Sequence, residues 1–139
     1  MPDNIPIPRK TPLILVVDDE EDFLEIASAP LKAAGFNVAV AHNGEEAKTQ
    51  AETLQPDLIL MDIYMPPGQT GTEVALSLKQ NAKTKDLKIA FLTSLRDPWP
   101  GVVGDNRSMS KELGMEDFIE KTGEPGALVE RVKSIVGAH

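Results

Sequence analysis

The sequence predicts an α/β fold, a parallel sheet of five strands with helices on both faces. Short apolar runs alternate with longer segments of helical periodicity, a pattern typical of parallel strands joined by helices. The runs at Leu13–Val17 and at residues 58–61 are apolar throughout, as expected of strands buried on both faces. Both runs end directly in acid, with Asp18 and Asp19 after the first and Asp62 after the second.

The first half of the chain predicts three strands joined by two helices. Gly35 ends the first helix, because glycine adopts the left-handed conformation that follows many helix C-termini. Pro30 lies inside that helix, where it removes one backbone hydrogen bond and should cause a kink. Asn43 suits the N-cap of the second helix, since its side chain can accept from a free backbone amide. The strands are predicted at residues 13–17, 37–41 and 58–61, and the helices at residues 20–34 and 45–54.

The second half continues the alternation with two strands and three helices. Gly114 ends a short helix, and Pro125 suits the first turn of the last one. That last helix carries an apolar stripe at helical spacing. The least regular segment, residues 96–107, contains Trp99 between two prolines. The strands are predicted at residues 88–92 and 117–119, and the helices at residues 72–81, 108–113 and 125–136.

The size and composition favour one cytoplasmic domain. The chain has 139 residues, and its net charge of −8 argues against nonspecific nucleic-acid binding. It contains no cysteine, which excludes disulfides and thiol chemistry. No apolar run approaches the roughly 20 residues that cross a bilayer. Residues 1–10 are interpreted as a flexible N-terminal arm and residues 11–139 as the domain, and we expect no nucleic-acid partner and no membrane contact.

The acids that follow the first and third strands predict a metal site beside a phosphoryl group. Ligands of open parallel sheets bind at the carboxyl ends of the strands, where Asp18, Asp19 and Asp62 would repel one another without a cation. Oxygen ligands of this kind suit Mg²⁺, which commonly binds one or two carboxylates together with a phosphate. Asp62 is then the candidate nucleophile towards phosphorus. Thr93 and Lys121, which follow the fourth and fifth strands, are candidates to bind the phosphoryl oxygens.

Four short motifs, taken in order, resemble the receiver domains of two-component response regulators. They are Leu-Val-Val-Asp-Asp-Glu at residues 15–20, Asp-Ile-Tyr-Met-Pro at 62–66, Phe-Leu-Thr-Ser at 91–94 and Phe-Ile-Glu-Lys at 118–121. Gly71, downstream of the second motif, also matches the family. The resemblance covers about residues 11–136 and implies a flavodoxin-like, doubly wound sheet with strand order 2-1-3-4-5.

The resemblance also implies roles for individual residues. Asp62 would accept phosphate from the phosphohistidine of a sensor histidine kinase or a histidine phosphotransfer protein. Phe118 would be the switch aromatic, which moves inward as Thr93 is drawn to the phosphate. This movement would remodel the face around the helix at 108–113, the last strand and the last helix, where a target protein would bind. The implied metal ligands are Asp18, Asp19, Asp62 and the backbone carbonyl of Tyr64.

Several residues depart from the family pattern. Thr122 stands where a proline in a cis peptide usually follows the lysine. Because a cis bond before a non-proline residue costs about 3–4 kcal/mol, we predict a trans bond between Lys121 and Thr122. Tyr64 and Leu95 are bulky and cannot orient water as an acid or amide would, which predicts slow self-dephosphorylation. Trp99 suits either a partner anchor or a cover over the end of the core.

The preferred function is a single-domain response regulator that acts through protein contacts. It would catalyse only its own phosphorylation and slow dephosphorylation, and a homodimer through the last two helices is compatible with their apolar positions. The alternatives are a phosphorylation-independent pseudo-receiver scaffold and a Mg²⁺-dependent phosphatase with an aspartate nucleophile. The phosphatase would need aspartate at position 64, and a flavin-binding module is opposed by the five acids at residues 18–22. His42 and His139 show no partner signal and are interpreted as surface residues.

Overall fold

The computed structural model describes residues 11–63, 71–93, 117–120 and 125–136. Strands and helices alternate along the chain up to the fourth strand, and residues 94–116, between the fourth and fifth strands, lie outside the described ranges. The strands are β1 (Leu13–Val17), β2 (Asn37–Ala41), β3 (Leu58–Asp62), β4 (Ile89–Thr93) and β5 (Asp117–Glu120). The helices are α1 (Glu21–Ala33), α2 (Gly44–Leu54), α3 (Gly71–Gln80) and α4 (Pro125–Val136).

The strands form one parallel sheet in the order β2-β1-β3-β4-β5. This order confirms the predicted flavodoxin-like, doubly wound arrangement. The order reverses direction between β1 and β3, which lie side by side in the sheet. In folds of this kind the crevice at such a reversal, outside the carboxyl ends of the strands, is where ligands bind. The residues that follow Val17 and Met61 are therefore the candidates for a ligand-binding site.

Alternate residues of the central strands face the two sides of the sheet, as the pleat of a strand requires. Leu15 and Val17 pack in a cluster with buried residues of α2 and α3, whereas Ile14 and Val16 pack with buried residues of α1 and α4. Among the described residues, two helices thus pack on each face of the sheet. This explains why residues 14–17 of β1 and 58–61 of β3 are all apolar, since these residues are buried on both faces of the sheet.

The predicted helix ends are confirmed by their local geometry. Gly35 has a φ of 101°, and its N–H donates to the Lys32 carbonyl at 3.0 Å. The Phe36 N–H donates to the Leu31 carbonyl at 3.0 Å, which completes a Schellman motif. The side chains of Leu31 and Phe36 are buried in the same hydrophobic cluster. At α2, the Asn43 side chain accepts from the Glu46 N–H at 2.9 Å, as predicted for an N-cap.

The structure agrees closely with the predicted boundaries and adds some detail. Helix α1 continues past Pro30 to Ala33, so the proline does not end the helix, and the kink stays a prediction. Strand β3 extends one residue further than predicted and includes Asp62, and β4 is displaced by one residue so that it ends at Thr93. The arm at 1–10, the irregular segment at 96–107 and the helix at 108–113 lie outside the described residues. None of the helices in the described part is long and apolar enough to cross a membrane.

Candidate functional site

The register of β1 and β3 brings two buried aspartates to the same edge of the sheet. Val17 is paired with Met61, so Asp18 and Asp62 are the next residues on two neighbouring strands. Parallel strands lie about 4.8 Å apart, which makes the two backbones immediate neighbours at this point. The exposed fraction is 0% for Asp18 and 5% for Asp62. Burying carboxylates is costly unless their charge is compensated, so this pair is unusual for a purely structural edge.

The acidic loop, residues 18–20, adds the carboxyl groups of Asp19 and Glu20 beside this pair. Oxygen atoms of Asp18, Asp19 and Glu20 lie within 4.8 Å of one another. Asp18 is held from two directions, because its N–H donates to the Ala41 carbonyl at 3.1 Å and its Oδ1 accepts from the Glu20 N–H at 2.9 Å. A set of donors made only of oxygen suits a hard divalent cation. Two of the three predicted acids, Asp18 and Asp19, therefore share a cluster, and its third member is Glu20, which the strand pattern did not indicate; Asp62 is not in this group.

Gly71 packs closely against the backbone of Asp62 and Ile63. At the start of α3, the Gly71 N–H donates to the Ile63 carbonyl at 2.7 Å. A Cβ atom placed on Gly71 would lie 2.0 Å from the Asp62 carbonyl oxygen, far inside contact distance. Only glycine permits α3 to begin so near the carboxyl end of β3. The sequence showed Gly71 as part of the family pattern, and the structure supplies the steric reason.

Of the other predicted site residues, Thr93 lies at the same edge of the sheet, Phe118 lies two residues before the end of β5, and the rest lie outside the described ranges. Thr93 is the last residue of β4 and its backbone is paired with Glu120 of β5. Phe118 is paired with Phe91 in the interior of the same ladder. The positions of Lys121 and its peptide bond to Thr122, of Tyr64, Leu95 and Trp99, and of His139 lie outside the described residues.

His42 has partners that sequence reasoning missed. Its Nδ1 lies 2.9 Å from the Glu46 carboxylate, and its Nε2 contacts the Glu21 carboxylate at short range. The hydrogen bonds to Glu46 and then Glu21 raise the pKa of His42, and the bond to His42 lowers the pKa of Glu46. The side chain of His42 is 40% exposed, in agreement with its interpretation as a surface residue, but it has two carboxylate partners that the sequence did not indicate. The spacing of Asn43 and Glu46, close to a capping box, is the one signal that could have indicated it.

Comparison with known proteins places these features in a family. The model of the response regulator receiver domain matches residues 14–133. The phosphate regulon transcriptional regulatory protein PhoB of Pseudomonas aeruginosa is 36% identical over 123 residues, which cover 88% of this chain and 51% of that protein. The DNA-binding response regulator MtrA of Mycobacterium tuberculosis is 36% identical over 121 residues, which cover 87% of this chain and 49% of that protein.

A solved structure extends the similarity to three dimensions. The chemotaxis response regulator CheY4 of Vibrio cholerae superposes with a TM-score of 0.77 at 25% sequence identity, over 91% of this chain and 99% of that one. The chain spans about half the length of PhoB and of MtrA. The expectation of a single-domain regulator therefore stays a prediction. The expectation of no nucleic-acid partner is not supported, because a relative of this similarity is named as DNA-binding.

Proposed function

The chain belongs to the response regulator receiver domain family of two-component signalling, and from this premise we propose that Asp62 accepts a phosphoryl group. The donor would be the phosphohistidine of a sensor histidine kinase or of a histidine phosphotransfer protein. The observation that supports this most is the strand register, which makes Asp62 the neighbour of a buried Asp18 at the ligand-binding edge of the sheet. The acidic loop beside them supports the same function.

The reaction we propose is a displacement at phosphorus. A carboxylate oxygen of Asp62 forms the new O–P bond as the P–N bond of the phosphohistidine breaks, and the electron pair of that bond stays on the imidazole nitrogen. Asp18, Asp19 and Asp62, with the backbone carbonyl of Tyr64, would bind Mg²⁺. When bound, the metal offsets the repulsion between the anionic nucleophile and the anionic donor and stabilises charge on the transferring group.

The remaining site residues would bind the phosphoryl group, or move in response to it, once it is on Asp62. We propose that the Lys121 ammonium pairs with the phosphoryl oxygens and that the Thr93 hydroxyl donates a hydrogen bond to them. Placement of Thr93 at the end of β4, one strand away from Asp62, supports this role. Phe118, on the adjacent strand β5, would then move inward and change the surface that β5 and α4 present to a partner.

The output we propose is a phosphate-dependent change of protein contacts, without catalysis on an external substrate. Self-dephosphorylation would be slow, because Tyr64 is bulky and lacks a group that orients water. The names of PhoB and MtrA attach transcription and DNA binding to those proteins. For this chain we propose only that Asp62 accepts a phosphoryl group and that its protein contacts then change.

Intact mass measurement tests this function. The protein is incubated with Mg²⁺ and acetyl phosphate, a small donor that replaces the partner phosphohistidine. We expect the wild-type mass to rise by one phosphoryl group and the mass of Asp62→Asn to stay unchanged. Asp86→Asn is the matched control, because Asp86 is exposed and precedes β4 at the opposite edge of the sheet, so this variant should still gain mass. No gain in the wild-type protein would favour the scaffold alternative.

A further inference from the structure

The end of strand β2 is connected to the acidic loop by its backbone. Ala41 is the last residue of β2, and its carbonyl accepts the N–H of Asp18 at 3.1 Å. His42 follows Ala41 directly in the chain, and Glu21 follows the acidic loop directly at the start of α1. The side chain of His42 therefore reaches Glu21 from a backbone that already holds Asp18.

The contacts of His42 link the starts of two helices. Its Nε2 contacts the carboxylate of Glu21, in the first turn of α1. Its Nδ1 lies 2.9 Å from Oε1 of Glu46, in the first turn of α2, and its backbone N–H donates to the same oxygen at 3.0 Å. Glu46 is fixed in turn by Asn43, whose Nδ2 donates to its second carboxylate oxygen at 3.3 Å. The described residues thus form a continuous path of hydrogen bonds from α2 to α1.

This geometry specifies the protonation state of the ring. Ionised carboxylates only accept hydrogen bonds, so both ring nitrogens of His42 must donate if both contacts are to be favourable. Neutral imidazole carries one N–H and can satisfy only one of the two carboxylates. The titratable groups that face the ring are Glu21 from α1 and Glu46 from α2. The doubly protonated ring is therefore the form that ties the two helices together.

We propose that His42 is a positioning residue for the metal site, holding the acidic loop in place by bridging Glu21 and Glu46 in its doubly protonated form. This role rests on the proposed function, because the loop carries Asp18 and Asp19, the ligands assigned to Mg²⁺. His42 does not touch the metal or the phosphoryl group in this scheme. It acts through Glu21, at the point where the loop becomes helix α1.

Two effects of the protonated ring on Mg²⁺ affinity have opposite signs, and this makes the proposal testable. A positive charge near the site repels the metal, so a purely electrostatic role predicts tighter Mg²⁺ binding when the charge of His42 is removed. That repulsion is screened, because the ring is 40% exposed to solvent and salt. A positioning role predicts weaker binding when the bridge is removed, because the loop is then less well ordered.

The expected size follows from the distance of His42 from the metal ligands along the path of contacts. Mutation of a residue that is bonded directly to a metal ligand typically changes metal affinity 10–100-fold. His42 is one residue further from the ligands, so we expect its replacement to weaken Mg²⁺ binding about fivefold. His42→Arg provides the rescue, since its guanidinium can donate to both carboxylates at every accessible pH. Glu45→Gln is the matched control, because Glu45 lies in the same first turn of α2 and pairs with Lys48 instead of His42.

The experiment has a metal-free and a metal-dependent part. Without metal, we expect His42→Gln to increase hydrogen exchange of the Glu20 amide, whose bond to Asp18 reports on loop order. With metal, an NMR titration should show Mg²⁺ binding weakened about fivefold in His42→Gln, and within about twofold of wild type in His42→Arg and Glu45→Gln. As the pH rises through the His42 pKa measured in the same spectra, the Mg²⁺ affinity of the wild-type protein should fall relative to that of His42→Arg.

Specific results would overturn the proposal. Unchanged or tighter Mg²⁺ binding in His42→Gln, or unchanged exchange of the Glu20 amide, would show that the bridge does not position the loop. Wild-type protein is tested for phosphorylation by acetyl phosphate in parallel. If it bound Mg²⁺ and took up no phosphate, the proposed function would fail, whereas the exchange and affinity data would still decide the role of His42.

Discussion

Replacement of Gly71 by alanine should disrupt the phosphorylation site through the backbone, without removing any charged group. The new Cβ would lie 2.0 Å from the carbonyl oxygen of Asp62 and 2.9 Å from both the Asp62 carbonyl carbon and the Ile63 Cα. Ordinary contact begins near 3.4 Å, so the two backbones must separate by about 1.4 Å. Neither side can yield by rotating a flexible side chain. We therefore expect the start of α3 and the end of β3 to move apart.

The magnitude of the effect follows from this displacement. Overpacking in a well-packed site typically costs 1–3 kcal/mol, and because both contacts here are backbone we expect about 3 kcal/mol of lost stability. The hydrogen bond from the Gly71 N–H to the Ile63 carbonyl, 2.7 Å long, would be lost or stretched as well. Misplacement of a reacting group by about 1 Å can cost about 100-fold in rate, and we expect a reduction of this order in the phosphorylation of Asp62.

Two other glycines provide the controls for this assay. Phosphorylation by acetyl phosphate is followed by intact mass, and stability is measured by urea unfolding. A Cβ at Gly126 meets nothing within 4 Å, so Gly126→Ala should phosphorylate normally. Gly35→Ala also meets no atom, but its φ of 101° should cost stability without slowing phosphorylation. Wild-type stability and rate in Gly71→Ala would refute the steric reasoning.

Three further changes should have distinct outcomes. Asn43→Ala removes the N-cap of α2 and should lower the free energy of unfolding by about 1 kcal/mol in urea, with a smaller loss in Asn43→Gly. The raised pKa of His42 adds stability that is complete below its unfolded value near 6.5 and disappears as the pH rises through the folded pKa. The lowered pKa of Glu46 adds stability that is lost as the pH falls through its folded value. A pH series of unfolding free energies should show both losses in wild type. His42→Gln should abolish the first loss and only reduce the second, because the backbone N–H of residue 42 and the Asn43 side chain still donate to Glu46. Tyr64→Asn should shorten the lifetime of the phosphorylated protein after removal of acetyl phosphate, and an unchanged short lifetime in both proteins would contradict the role given to Tyr64.

Much of the fold could be predicted because its signals are local. Strand β1 and helix α4 have the predicted boundaries, since an uninterrupted apolar run defines one and Pro125 with its apolar stripe defines the other. Gly35 and Asn43 mark helix ends through their own conformational and hydrogen-bonding preferences, which need no distant partner. The alternation of strands and helices predicted a parallel sheet, whereas the strand order 2-1-3-4-5 was implied by family resemblance and could not have been obtained from periodicity alone.

The parts of the site that sequence reasoning missed depend on distant contacts. The bridge through His42 joins residues 21 and 46, which are separated by a helix and a strand, so no periodic pattern indicates it. The close approach of Gly71 to Asp62 depends on how α3 begins beside β3, and a family pattern alone gives no distance. The neighbouring positions of Asp18 and Asp62 were predictable because the carboxyl ends of parallel strands must meet at one edge.

The most direct test of the central claim is to locate the phosphoryl group on the intact protein. After incubation with Mg²⁺ and acetyl phosphate, the acyl phosphate is reduced with borohydride and the modified residue is identified by peptide mass mapping. We expect a single modification at Asp62, at a yield that depends on Mg²⁺. Modification at Asp18, Asp19 or Glu20, or no modification in protein that binds Mg²⁺, would contradict the assignment of Asp62 as the phosphoryl acceptor.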